Sequence, residues 1–160
     1  REMVFIKSGA VVLFDRAVAN AAGTPRTFQL QMSGTPTISG NQLTFTANSQ
    51  RADVWRLAPA SVPWTTTGVF TGVRAEGVHN SGTESLFLHI IGVNSKVTAA
   101  VADNTATETG ARITFNDGTV ATVRFSNAGH GGTLLMVNSA GQTLYSGALP
   151  TTVNTFPVYQ

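Results

Sequence analysis

Apolar and polar residues alternate with a period of two along most of this chain. Phe28, Leu30 and Met32 alternate with Thr27, Gln29, Gln31 and Ser33, while Leu43, Phe45 and Ala47 alternate with Thr44 and Thr46. Successive side chains of an extended strand point to opposite faces, so each such stretch buries one face and wets the other. Helical spacing is not sustained over any length. The chain is therefore restricted to folds built from half-buried strands.

The turns agree with this reading. Ser39-Gly40-Asn41-Gln42 places Gly-Asn at the centre of a hairpin, the order a type II′ turn prefers. Ile113 and Phe115 run into Asn116-Asp117-Gly118-Thr119 and out through Ala121, Val123 and Phe125, the clearest hairpin of the chain. Further strands are predicted at residues 11–18, 51–57, 72–78, 86–93, 97–102, 134–138 and 143–146. More than ten short strands with regular Gly and Asn turns define an all-β class, an antiparallel β-sandwich with essentially no helix. Residues 85–93, SLFLHIIGV, are apolar on both faces and read as a central strand covered on each side. The longest irregular piece is predicted at 58–68, where two prolines forbid a central strand.

A length of 160 residues suits one β-sandwich domain over 1–160. The first residue is Arg1, so the chain is expected to be a processed product or a fragment, such as the C-terminal part of a longer protein. Only 11% of residues are charged, and the polar surface is mostly Thr, Ser, Asn, Gln and Gly, a pattern associated with secreted or periplasmic bacterial β proteins. Ten Lys and Arg against eight Asp and Glu are scattered without a basic stripe, so nucleic acid is not expected as a partner. No apolar stretch approaches the ~20 residues that span a bilayer, and no membrane partner is expected. Cysteine is absent, which excludes thiolate catalysis and Cys-based zinc sites.

The stretch VFIKSGAVVLFDRAV carries Asp15 and Arg16 next to each other in an apolar strand. Neighbours on a strand face opposite ways, so Asp15 shares a face with Val11 and Leu13, and Arg16 with Val12 and Phe14. Each needs its own partner elsewhere, and both are expected to be structural charges.

The segment VFIKSGAVVLFDRAVA resembles a strand pair in the C-terminal β-sandwich of heparinase II/III-like polysaccharide lyases. RTFQLQMSGTP, RADVWRLAP, ESLFLHIIGV and TFNDGTVATVRF follow in the order of that family, so the resemblance covers nearly the whole chain. Ser8 stands where the family often has Pro, and Ala17 where Val is usual. The resemblance implies a parent enzyme whose helical toroid domain precedes the sandwich, with a uronic-acid polymer in the cleft between them. There a Tyr or His removes the C5 proton while neighbouring groups neutralise the carboxylate. It implies a non-catalytic supporting domain here, with Asp15 and Arg16 as scaffold and with no cofactor. A stand-alone carbohydrate-binding or adhesion module and an independent hydrolase using His79 or His130 with a nearby carboxylate are the alternatives.

Candidate functional residues are few. His89 shares a face with Phe87 and Ile91 and reads as a core histidine. His79 lies in a polar turn beside Glu76 and Glu84, and His130 in the loop NAGHGGT. No HxH, HExxH or HxxE spacing supports a metal site, no GK[ST] follows GHGG, and no GxSxG elbow is present. Trp64 follows Pro63, where its indole either stacks on a sugar ring or plugs the end of the sandwich. Arg74 offers a planar fork suited to a carboxylate. An acidic polysaccharide is expected to meet Trp64, Arg74, His79 and His130, on loops at one end of the sandwich.

Overall fold

The computed structural model describes residues 1–69 and 72–151. Among these residues are fourteen strands and no helix. The largest sheet combines β1 (Glu2–Ile6), β2 (Ala10–Val18), β4 (Thr37–Ser39), β5 (Gln42–Ala47), β6 (Gln50–Ala58) and β9 (Glu84–Val93) in the order β1-β2-β9-β6-β5-β4. A second sheet is a plain meander of β10 (Val97–Ala102), β11 (Glu108–Phe115), β12 (Val120–Ser126), β13 (Gly132–Val137) and β14 (Thr143–Leu149). The third has three strands, β3 (Arg26–Met32), β7 (Thr65–Val69) and β8 (Gly72–His79), in the order β3-β8-β7. Neighbouring strands pair antiparallel throughout.

Two cores separate the sheets, and the six-stranded sheet lies between them. On one face Val12, Phe14, Trp55, Leu57, Leu88 and Ile90 meet Ala111, Ile113, Phe115, Val123 and Phe125 of the five-stranded sheet. On the other face Leu43, Val54 and Phe87 meet Phe28, Met32, Ala75 and Trp64. The double-sided apolar run of β9 has its explanation here, since Leu88 and Ile90 enter the first core while Phe87 enters the second. The sandwich thus carries a third layer, which alternation alone does not reveal: a half-buried strand reads the same whichever sheet it joins.

The turns follow their sequences with one difference. Gly40 has φ 57° and Asn41 is not in the positive region, as a type II′ turn requires. In the β11–β12 hairpin the positive φ falls on Gly118 alone, at 81°. Asp117 instead accepts the Thr119 amide at 2.9 Å, and the Phe115 amide reaches the Thr119 carbonyl at 2.9 Å. The expected irregular stretch 58–68 is shorter than its prolines suggested. Strand β6 runs on to Ala58, and Thr65–Val69 forms an edge strand of the smallest sheet.

Asp15 and Arg16 find separate partners on opposite faces of β2. Arg1 grips Asp15 with two bonds, Nε to Oδ1 at 2.7 Å and Nη2 to Oδ2 at 2.9 Å. Arg16 bonds Glu2 Oε1 at 2.8 Å and the Ser126 carbonyl at 2.7 Å. Arg1, just before β1, and Glu2, its first residue, thereby supply adjacent residues of β2, one ion pair per face.

Candidate functional site

The C-terminal end of β2 and the start of β9 lie side by side, with Val18 opposite Glu84. The connections 103–107 and 127–131 of the five-stranded sheet close over this end. Their conformation is fixed locally: Asn127 N reaches the Thr107 carbonyl at 2.9 Å, and Thr109 donates its hydroxyl to Asn127 Oδ1 at 2.8 Å. With Oδ1 occupied, the Asn127 amide nitrogen is left to donate elsewhere. Between these loops and the sheet is an open groove of about 570 Å³, lined by Arg16, Glu84, Thr107 and Asn127 among others.

Arg16 anchors the groove. Its guanidinium lies 5.2 Å from the centre of the Phe14 ring and bridges two layers by bonding both Glu2 and the Ser126 carbonyl. The second Glu2 oxygen accepts the Gly131 amide at 2.8 Å. His130 Nδ1 sits 3.3 Å from Arg16 Nη2. The same ring nitrogen lies 3.8 Å from Glu2 Oε1, so His130 sits over the Arg16–Glu2 pair. A smaller cavity of about 170 Å³ adjoins on the far side of His130, between Glu2, Val4, Phe125 and Leu149.

His79 reaches the same end on the opposite side of the central sheet. Its Nδ1 lies 2.6 Å from Ser85 Oγ, a spacing that resembles a nucleophile and its base. Arg26 Nε, however, donates to that same oxygen at 2.5 Å, and Ser85 is only 2% exposed. The remaining guanidinium nitrogens of Arg26 bond the carbonyls of Thr24, Ser81 and Gly82. The trio is a clamp on the connection 80–83, with the serine oxygen accepting from Arg26 and shielded from solvent.

The structure does not bring Trp64 and Arg74 to this end. Trp64 is 7% exposed, which corrects the expected stacking platform. Its Nε1 bonds the Asn41 carbonyl at 3.1 Å, Phe28 packs against the ring edge-on, and the Arg56 guanidinium lies 4.9 Å from the ring centre. An indole enclosed in this way is the plug of the second core. Arg74 projects from β8 on the outer face of the three-stranded sheet, its Nε 2.8 Å from Glu76 Oε1. Gln29 donates to the same Glu76 oxygen at 2.6 Å, so Glu76 is not the partner of His79. Of the four candidates, His130 alone touches the groove's arginine.

Sequence reasoning missed Glu2, Thr107 and Asn127. Glu2 was legible: a hairpin pairing Ile6 with Ala10 pairs Glu2 with Phe14, which brings its carboxylate beside Arg16. Thr107 and Asn127 come together only through the pairing of Glu108 with Ser126. Among the described residues no group of three or more His, Cys, Asp or Glu is placed to hold a metal ion. No protein-family model, curated protein or solved structure matches the chain. Fold and groove together define an all-β protein of stacked antiparallel sheets with an open recess of mixed polar and apolar lining at one end.

Proposed function

We propose that this chain is a non-catalytic β-sandwich module of a protein that degrades uronic-acid polymers, as its resemblance to the C-terminal domain of heparinase II/III-like lyases implies. Its end groove holds a stretch of acidic polysaccharide. The observation that carries this reading is the groove itself. Its volume falls within the ~300–1,000 Å³ of small-molecule sites, and its donors are Arg16, the Asn127 amide and the Thr107 hydroxyl. Arg16 is paired with Glu2 and bonds the Ser126 carbonyl, so its guanidinium is oriented before any ligand arrives and its remaining N–H groups donate, while Glu84 lines the same groove and favours sugar hydroxyls beside it. A sugar carboxylate and its neighbouring hydroxyls match such a donor set.

The supporting role has its own basis in β1. Val4 and Ile6 face the first core, which turns Met3 and Phe5 to the other face, where they are 67% and 74% exposed. That corner of the sheet offers an apolar seat for a neighbouring domain, the helical toroid of the parent protein. A chemical role at His130 is disfavoured because its nearest carboxylate, Glu2, is already held by Arg16 and the Gly131 amide.

Oligosaccharides from heparin, alginate and chondroitin, titrated into the chain by NMR, test the proposal. Shifts at Thr107 and Asn127 are expected, together with roughly fivefold weaker binding by Asn127→Ala. Binding that ignores this substitution would remove the groove as the site. The isolated chain is expected to release no unsaturated sugar product, followed by its absorbance, and turnover would overturn the non-catalytic reading.

A further inference from the structure

The charges around the end groove are unevenly matched. Arg16 is the cation among its lining residues, and its guanidinium is already paired with Glu2, Nη2 to Oε1 at 2.8 Å. Glu84 also lines the groove, and its carboxylate has no hydrogen-bond or ion-pair partner among the described residues. Arg26, the other guanidinium near this end, reaches only the Glu84 carbonyl, at 3.5 Å. It is buried and committed to Ser85 Oγ and to the carbonyls of Thr24, Ser81 and Gly82. A second carboxylate, Glu108, follows Thr107 in the chain and meets the Thr105 hydroxyl at 3.5 Å. With Arg16 and Glu2 cancelling, the charge left over in the groove is the carboxylate of Glu84.

Glu84 stands where it meets a second substituent of the same ligand. In the β2–β9 register Arg16 pairs with Leu86 and Val18 with Glu84, and these four residues share the face turned to the five-stranded sheet. Arg16 and Glu84 are therefore diagonal neighbours, about 7–8 Å apart, a separation that linked sugar rings span. A uronate whose carboxylate meets Arg16 thus sets hydroxyls of its own or of the next ring against Glu84. A carboxylate accepts a hydroxyl but repels a sulfate ester in the same position. The apolar part of the lining, Val18, Ala106 and Ala128, offers a sulfate no donor.

We propose that Glu84 is a specificity-determining residue that restricts the groove to unsulfated uronic-acid polymers, an inference that rests on the groove being the polysaccharide site. Two matched pairs of oligosaccharides serve as probes, from alginate and from chondroitin, each with and without sulfate, titrated at low and constant ionic strength. The chain carries a net charge of +2, so attraction to the protein as a whole favours the more anionic member of each pair. A preference for the unsulfated member therefore reports the groove. It is expected to be at least about fivefold in dissociation constant for one of the pairs. Glu84→Gln is an isosteric change at an exposed residue, and it is expected to bring that ratio close to one, chiefly by tightening the sulfated member. Equal or tighter binding of the sulfated members by the wild type, or a ratio that Glu84→Gln leaves unchanged, overturns the role of Glu84 while the groove stands as the site. Binding of no oligosaccharide, or binding indifferent to Asn127→Ala, removes the groove itself and this inference with it.

Discussion

The two faces of the central sheet are built differently. The core shared with the five-stranded sheet gathers sixteen buried apolar residues, with the uncharged Thr109 of that sheet and Thr119 of its β11–β12 hairpin buried as well, and includes the stacked rings of Phe14 and Phe125 at 4.9 Å. The core shared with the three-stranded sheet has seven buried apolar residues and encloses His89 and Arg56 beside them. At ~25 cal/mol per Å² of apolar surface buried, the first must supply most of the stability, whereas the second offsets its burial against the desolvation of two polar groups. The larger core holds the fold together, and the smaller one is where this protein can respond to its solvent.

The largest expected effects test that division directly. Phe125→Ala is expected to lower stability by about 3–5 kcal/mol, read from urea unfolding, because a ring is removed from a close-packed core. Trp64→Ala removes the plug of the second core, and its signature is local: faster hydrogen exchange in β3 and β8 with protection retained in β11 and β12. Equal loss of protection in all four strands would mean that the two cores unfold as one unit.

The second core should also be the acid-sensitive one. Burial first, then Arg56 and Arg1, push the His89 pKa down from 6.5 to about 3. Below pH ~6.5 the unfolded chain takes up a proton that the folded chain refuses until about pH 3, so His89 lowers stability progressively as pH falls through this window. By pH 4 the loss is of the order of 3 kcal/mol. His89→Leu is expected to flatten this part of the pH profile, and an unchanged slope would assign it to the carboxylates instead.

The smallest effect belongs outside both cores. The Arg74 side chain is 39% exposed beside Glu76, and Arg74→Ala is expected to change the unfolding free energy, read from urea titration, by no more than about 0.5 kcal/mol. A larger loss would show that the outer face of the three-stranded sheet contributes to holding it in place.

The alternation that marks strands was strong enough to set the class of fold and to single out β9 as covered on both sides. Layer number was not legible, because the partners of β3 and β8 are decided by pairings far apart in the chain. The fate of Trp64 was open for a related reason. Pro63 marks a loop, but the Asn41 carbonyl that receives the indole belongs to a hairpin distant in sequence. Arg56 carried a signal that period-two reading provides: in ADVWRLA it shares a face with Val54 and Ala52, a cation on an apolar stripe. His130 lies in a loop as its sequence suggests, whereas His79, expected in a polar turn, is the last residue of β8 and pairs with Arg26; nothing in their neighbours indicated Ser85 or Arg16 as the contacts.

The paired charges on β1 and β2 also act as a spelling check on that hairpin. Val11, Val12, Leu13 and Phe14 are so alike that an apolar strand could dock against them in more than one alignment. In the native alignment, which sets Glu2 against Phe14, Arg1 falls beside Asp15 and Glu2 beside Arg16. Advance one strand by a single residue and Arg1 would face Arg16 while Glu2 faced Asp15, like against like on both sides of the sheet. Four side chains at the open end of the hairpin thus reject the misalignment that its greasy middle cannot distinguish.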